Sequence, residues 1–180
     1  MKKIIVYASR YGTSKEYAAQ IASKKNYPVV PLEEHINLVN PYDEIIFIAP
    51  VYMGKIMSLE KFIKMADKWE SKKITVITVG VYNPNRKSNT SILQEKIKRV
   101  VEKTNLNLQN IYHLYGNLHL EDLSFLHKTL INTLYKTAKK KSLEQLNEDE
   151  KDIIKAYEKK YSKALQRLNR YNKIYNAVST

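Results

Sequence analysis

Three short runs along the chain are apolar at nearly every position. Lys3–Ala8 (KIIVYA), Glu44–Ala49 (EIIFIA) and Lys73–Val79 (KITVITV) lack the polar alternation of a half-exposed strand. Such runs fit strands covered on both faces, as in a parallel sheet. Val29, Val30 and Leu32 form a shorter strand, and Pro28 and Pro31 favour a place near an edge for it. Ile111–Leu120 supplies a fifth strand, interrupted at Gly116. Between the strands the period becomes helical. Tyr17, Ala18, Ile21 and Ala22 put one apolar stripe on Glu16–Ser23, and Leu59, Phe62, Ile63, Ala66 and Trp69 do so on Leu59–Trp69 behind a Ser58 cap. Ser91 with Gln94, and Asn147 with Glu150, have capping-box spacing and predict helix starts. Glu33–Asn40 reads as a reduced helix or a loop. Glu121–Lys141 reads as a helix with Leu123, Leu126, Leu130, Leu134 and Ala138 in register. A last helix carries Ile154, Tyr157, Tyr161, Leu165, Leu168, Tyr171 and Tyr175 at helical spacing.

Strands alternating with helices predict an α/β fold: a doubly wound five-stranded parallel sheet, order 2-1-3-4-5, with helices on both faces. One helix exceeds what that unit needs. The expectation is a single domain over residues 1–180, with a helical insertion at about 121–146 before the last helix. Ligands of such sheets bind beyond the carboxyl ends of the strands, where strand order reverses. The loops Ser9–Ser14, Pro50–Met57 and Gly80–Asn89 all leave carboxyl ends and are expected to converge.

The 180 residues include no cysteine, which excludes disulfides, thiolate metal sites and cysteine nucleophiles. His35, His113, His119 and His127 are scattered without metal-ligand spacing and read as structural or exposed, so no metal site is expected. No apolar run approaches the roughly 20 residues that span a bilayer. Met1-Lys2-Lys3 leads directly into a strand without a secretory signal, and a cytoplasmic protein is expected. The net charge of +13 favours an anionic partner, and residues 136–180 carry 12 Lys and Arg against 6 Asp and Glu. No recognised nucleic-acid motif accompanies this charge, which argues against nucleic acid.

Ser9, Tyr11, Thr13 and Ser14 set four hydroxyls around Gly12, between a strand and a helix start. Gly12 permits a tight turn, and the following amides with the helix N-terminus form a phosphate cradle. Thr13 with Glu16 also has capping-box spacing. Neither the P-loop lysine nor the Rossmann glycine triplet is present.

Ser9-Arg10-Tyr11-Gly12-Thr13-Ser14 resembles the flavin mononucleotide (FMN) phosphate loop of flavodoxins, of the form hydroxyl-x-hydroxyl-Gly-x-hydroxyl. Tyr11 stands where that family usually has a small hydroxyl residue. The resemblance implies a flavodoxin-like fold with FMN as cofactor. It places Pro50-Val51-Tyr52-Met53-Gly54 beside the reactive side of the flavin, and Gly80-Val81-Tyr82-Asn83 on the other flavin-facing loop with Tyr82 as the stacking residue. The chain looks most like the quinone-dependent protoporphyrinogen dehydrogenases, the flavodoxin-type protoporphyrinogen oxidases. These are basic, of similar length, and carry a helical insertion after a break in the fifth strand. Gly116–Leu120 followed by Glu121–Lys141 resembles that arrangement.

This likeness implies an FMN-dependent oxidoreductase in which the flavin, not a protein residue, carries the chemistry. Electrons would pass to a quinone or another redox partner, with an anionic porphyrinogen as substrate. The basic tail would allow peripheral contact with anionic lipid at the inner face of the membrane. Glu121–Lys141, as a basic and aromatic-lined helical insertion, would hold that flat anionic macrocycle; the other reading is a helix that covers a sheet edge or pairs two copies as a homodimer. The alternative is a flavodoxin-type electron carrier with atypical basic charge. Lys55 follows the Met-Gly turn where carriers commonly have an acidic residue, and a cation there favours two-electron chemistry.

Overall fold

A computed structural model describes residues 1–33, 39–66, 68–69, 72–118 and 122–158. The elements in chain order are β1 (Lys3–Tyr7), α1 (Thr13–Lys25), β2 (Val29–Pro31), β3 (Glu44–Tyr52), β4 (Lys55–Ile56), α2 (Leu59–Ala66), β5 (Lys73–Gly80), α3 (Lys87–Val101), β6 (Asn107–Tyr115), α4 (Phe125–Lys139) and α5 (Glu148–Glu158). The long strands are parallel in the order β2-β1-β3-β5-β6, the predicted arrangement. The two-residue β4, which the apolar pattern does not predict, pairs antiparallel with the end of β3.

The uninterrupted apolar runs are buried on both faces, as the absence of alternation requires. Ile5, Ile46, Ile48 and Ile77 face α1, whose Tyr17, Ala18, Ile21 and Ala22 complete one core. Ile4, Val6, Ile45, Phe47, Ile74 and Val76 face α2 and α3 in the other. Phe47 and Phe62 stack there with centroids 4.0 Å apart. Glu44, buried at the foot of β3, pairs with Lys3 at 3.2 Å and accepts the Thr75 hydroxyl at 2.9 Å.

Several boundaries differ from the sequence reading. α2 ends at Ala66, and Trp69 packs into the core just beyond it. The fifth long strand, β6, occupies Asn107–Tyr115 rather than Ile111–Leu120. It is the sheet's outer strand, and the residues of its first half are largely exposed, so Asn107, Gln109 and Asn110 disguise it. α3 begins at Lys87, four residues before the expected Ser91 cap, and Ser91 and Gln94 both lie inside it. The Asn147–Glu150 capping box does form: Glu150 N–H donates to Asn147 Oδ1 at 2.9 Å, and Asn147 N–H donates to Glu150 Oε2 at 3.0 Å. α4 lies between β6 and α5, against which it packs through stacked Tyr135 and Tyr157 rings 3.9 Å apart. Most of Glu33–Asn40, with His35, and also His119 and the last helix's Tyr161 to Tyr175, lie outside the described residues. Among the described residues no helix is long and apolar enough to cross a membrane.

Candidate functional site

The chain leaves β1 and enters α1 through Gly12, whose φ of 85° lies in the region open chiefly to glycine. That turn lets the helix start without a side-chain cap, Glu16 N–H donating to Gly12 O at 2.9 Å. The expected Thr13–Glu16 capping box is therefore absent, and Thr13 is the first helical residue. Its hydroxyl is left over, and it is not alone. Ser9 Oγ, Thr13 Oγ1 and Ser14 Oγ are all buried without a hydrogen-bond partner. A buried group so placed costs about 1–3 kcal/mol, and proteins leave few of them. Three hydroxyls beside the first amides of a helix form a donor set for an anion.

Tyr11 does not join that set. Its hydroxyl is hydrogen-bonded to Nδ1 of His127 on α4, and Arg10 lies 5.6 Å from its ring centroid. His127 also packs on Tyr52, with centroids 4.1 Å apart. Burial, reinforced by Arg10, lowers the His127 pKa below 6.5, so the imidazole is neutral at pH 7. The Tyr52 hydroxyl is buried without a partner, and its pKa is raised by burial and then by Tyr11. Of the four histidines read as structural or exposed, the two described ones both make structural contacts. His113 bonds Thr78 at 2.6 Å, but His127 joins the first two loops to α4. Its place on the helix face shared by Leu130 and Ile131 is the sequence signal that could have found it.

β3 runs three residues past the predicted Ala49 and reverses at Met53 (φ 47°) and Gly54 (φ 69°) into β4. Val51 pairs with Ile56 and Tyr52 with Lys55, so most of the expected Pro50–Met57 loop is a small hairpin. Lys96 donates to Gly54 O at 3.2 Å. The third loop begins where β5 and β6 end together: Gly116 N–H donates to Gly80 O at 2.5 Å. Beside it the Tyr17 hydroxyl donates to Tyr115 O at 3.0 Å, fastening α1 to the outer strand. Tyr82 follows, half-buried, its hydroxyl pKa raised by burial and then by Asp149 and Asp152.

The three loops enclose one cavity of about 440 Å³. Ser9, Arg10, Tyr11, Thr13 and Ser14 line one side; Pro50, Val51, Tyr52 and Met53 line a second; Gly80, Val81 and Tyr82 line a third. α4 and the segment before it contribute Leu118, Leu123, His127, Leu130, Ile131 and Leu134, none of which was expected at the site. Three expected residues do not line it. Gly12 forms the turn beneath it, and Gly54 borders a smaller cavity of about 170 Å³. Asn83 turns inward: its N–H donates to Asp152 Oδ2 at 2.8 Å, and its Oδ1 accepts from Asn85 N–H at 3.0 Å. Lys55 is exposed on β4. Among the described residues no group of three or more His, Asp or Glu could hold a metal.

A doubly wound sheet of this order, with a hydroxyl-bearing first loop over its switch point, is the architecture of flavodoxins. Residues 4–145 match the family model described as a flavodoxin domain, and the chain belongs to that family. Among solved structures it is similar to an NADPH-quinone reductase from P. pentosaceus, with 15% identity over 72% of this chain and 92% of the other, at a TM-score of 0.51. It is also similar to the Trp repressor binding protein from Bacillus subtilis, with 18% identity over 64% and 85% of the two chains and a TM-score of 0.51. At these identities the likeness is one of fold. Against curated protein sequences the chain finds no significant match.

Proposed function

We propose that the cavity binds FMN and that the protein is an FMN-dependent oxidoreductase. The observation that carries this reading is the trio of buried, unpartnered hydroxyls at the start of α1, Ser9, Thr13 and Ser14. A singly esterified phosphate would satisfy all three together with the first amides of the helix. The donor set is made of hydroxyls and helix amides without the P-loop lysine, which suits the phosphate of a mononucleotide rather than a triphosphate. Tyr52 and Tyr82, from the second and third loops, supply aromatic surfaces for the flavin ring. FMN, when bound, supplies two-electron redox chemistry. The chain's own residues bind and orient it, and exclude water from it.

Position and character of α4 favour an enzyme over a carrier. A carrier exposes its flavin edge to a protein partner, whereas here Leu123, Leu130, Ile131 and Leu134 wall the cavity with apolar surface. Such a wall suits a flat hydrophobic substrate, and a quinone fits that description as acceptor. The finer reading, oxidation of a porphyrinogen, draws on the same apolar wall and on Arg10 at the rim, a cation positioned to meet a substrate carboxylate. Neutral His127, held by Tyr11 and Tyr52, keeps α4 against the phosphate loop and adds no charge to this apolar side.

The test is a titration of FMN-free protein with FMN and with riboflavin, followed by flavin fluorescence. FMN is expected to bind at least tenfold more tightly, because riboflavin lacks the phosphate. Equal affinities would show that the first loop does not grip a phosphate. Porphyrinogen oxidation with a quinone acceptor is then assayed directly. Reduction in two well-separated one-electron steps, without porphyrinogen turnover, would instead identify a carrier.

A further inference from the structure

The third loop is held from outside by α5. Asp152 is only 5% exposed, yet its carboxylate Oδ2 accepts both the Asn83 N–H, at 2.8 Å, and the Arg86 guanidinium. Arg86 reaches further along the same helix, pairing with Asp149 at 3.0 Å and donating to Glu148 O at 3.3 Å. Asn83 is the hub of the loop. Its carbonyl accepts Arg86 N–H at 3.2 Å and Asn89 Nδ2 at 3.2 Å, and its side chain accepts Asn85 N–H at 3.0 Å. The residue immediately before it is Tyr82, which lines the cavity. Fixing the Asn83 amide therefore fixes the Tyr82 peptide and the wall it forms.

A buried ion pair is weak ground for stability, since apolar replacements often serve as well; its best-attested use is to set one register among alternatives. Asp149 and Asp152 also lie past residue 145, where the flavodoxin match ends. They are supplied by α5, the helix that follows α4. From these observations we propose that Asp152, acting through Arg86 and the Asn83 amide, is a positioning residue for the cofactor site. It presents Tyr82 to the flavin and balances the Arg86 charge beside it. The proposal rests on the FMN reading above. The raised pKa of the Tyr82 hydroxyl, due after burial to Asp149 and Asp152, agrees with carboxylates close to that ring.

The experiment compares wild type, Asp152→Ala and Asp152→Asn in three readouts: hydrogen exchange of the Asn83 amide in FMN-free protein, FMN affinity, and the flavin midpoint potential. Asp152→Ala removes both the acceptor and the charge. It is expected to speed Asn83 exchange at least tenfold and weaken FMN about tenfold. Asp152→Asn keeps an acceptor and is expected to restore affinity to within about threefold of wild type. It removes the buried one of the two carboxylates paired with Arg86 and leaves the exposed Asp149, so it should favour reduced over oxidised flavin by up to tenfold, an upward shift of as much as about 30 mV for a two-electron couple. Should Asp152→Ala not fold, Asp152→Asn alone carries the test through the potential. Unchanged Asn83 exchange in folded Asp152→Ala, or FMN affinity and potential both unchanged in that variant, or an unchanged potential in Asp152→Asn, overturns the clamp. Wild-type protein that takes up no FMN overturns the flavin reading itself, and with it the role of the clamp there.

Discussion

Replacing Ser14 by Ala has opposite consequences for the FMN-free and FMN-bound protein. Ser14 is 2% exposed, and its hydroxyl has no partner. In the FMN-free chain that hydroxyl is a desolvated polar group, worth about 1–3 kcal/mol of lost solvation. Alanine also has the higher helix propensity, by a few tenths of a kcal/mol, in the first turn of α1. Ser14→Ala should therefore leave the FMN-free protein as stable as before or up to about 2 kcal/mol more stable, although most buried substitutions destabilise. With a dianionic phosphate in place the same hydroxyl donates a charge-assisted hydrogen bond, worth about 1.5–3 kcal/mol. Its loss should weaken FMN by roughly tenfold to a hundredfold and leave riboflavin affinity unchanged. Urea melts of the flavin-free protein and paired FMN and riboflavin titrations read both arms. A variant that loses stability without FMN and binds FMN as tightly as wild type would refute the reasoning, because the hydroxyl would then have a partner within the protein.

Other substitutions probe the rest of the molecule. The His127 imidazole should titrate below pH 6.5 in the folded protein, as followed by NMR of its ring protons. Since unfolded chains take up that proton more readily, its stabilising contribution is complete above about pH 6.5. It is lost as the pH falls toward the folded-state value, and His127→Asn should flatten the acid limb of a pH–stability curve. Phe62→Ala removes the ring stacked on Phe47 in the larger core and should cost about 3–5 kcal/mol in a urea melt. Gly116→Ala would bring a Cβ to 3.3 Å from the Gly80 carbonyl carbon, splaying the ends of β5 and β6. A cost of about 1–3 kcal/mol is expected, together with weaker FMN binding, and an unchanged melt would show that the strand ends can relax.

The central strands were legible because β1, β3 and β5 are buried on both faces, and burial on both faces leaves an unbroken apolar run. β6 hid its first half because the outer strand exposes Asn107, Gln109 and Asn110. The helix starts at Thr13 and Lys87 were missed for a different reason. Capping-box spacing is a local signal, whereas these starts are set by the positive φ of Gly12 and by the loop that Arg86 and Asp152 hold together. The convergence of the three loops on one cavity was legible from topology alone, since carboxyl strand ends must share one edge. α4 was legible as a helix, but nothing in its apolar stripe told where it would lie. Its contribution to the cavity wall, and the link from Tyr11 to His127, emerge only in three dimensions.

The bond from the Tyr17 hydroxyl to the Tyr115 carbonyl spans 98 positions of sequence. It ties α1, which begins at the first loop, to the last of the long strands. The helix behind the first loop is therefore fully anchored only once the chain through residue 115 has taken its place in the sheet. A chain cut short of that point would hold the residues of the first loop without the brace behind them.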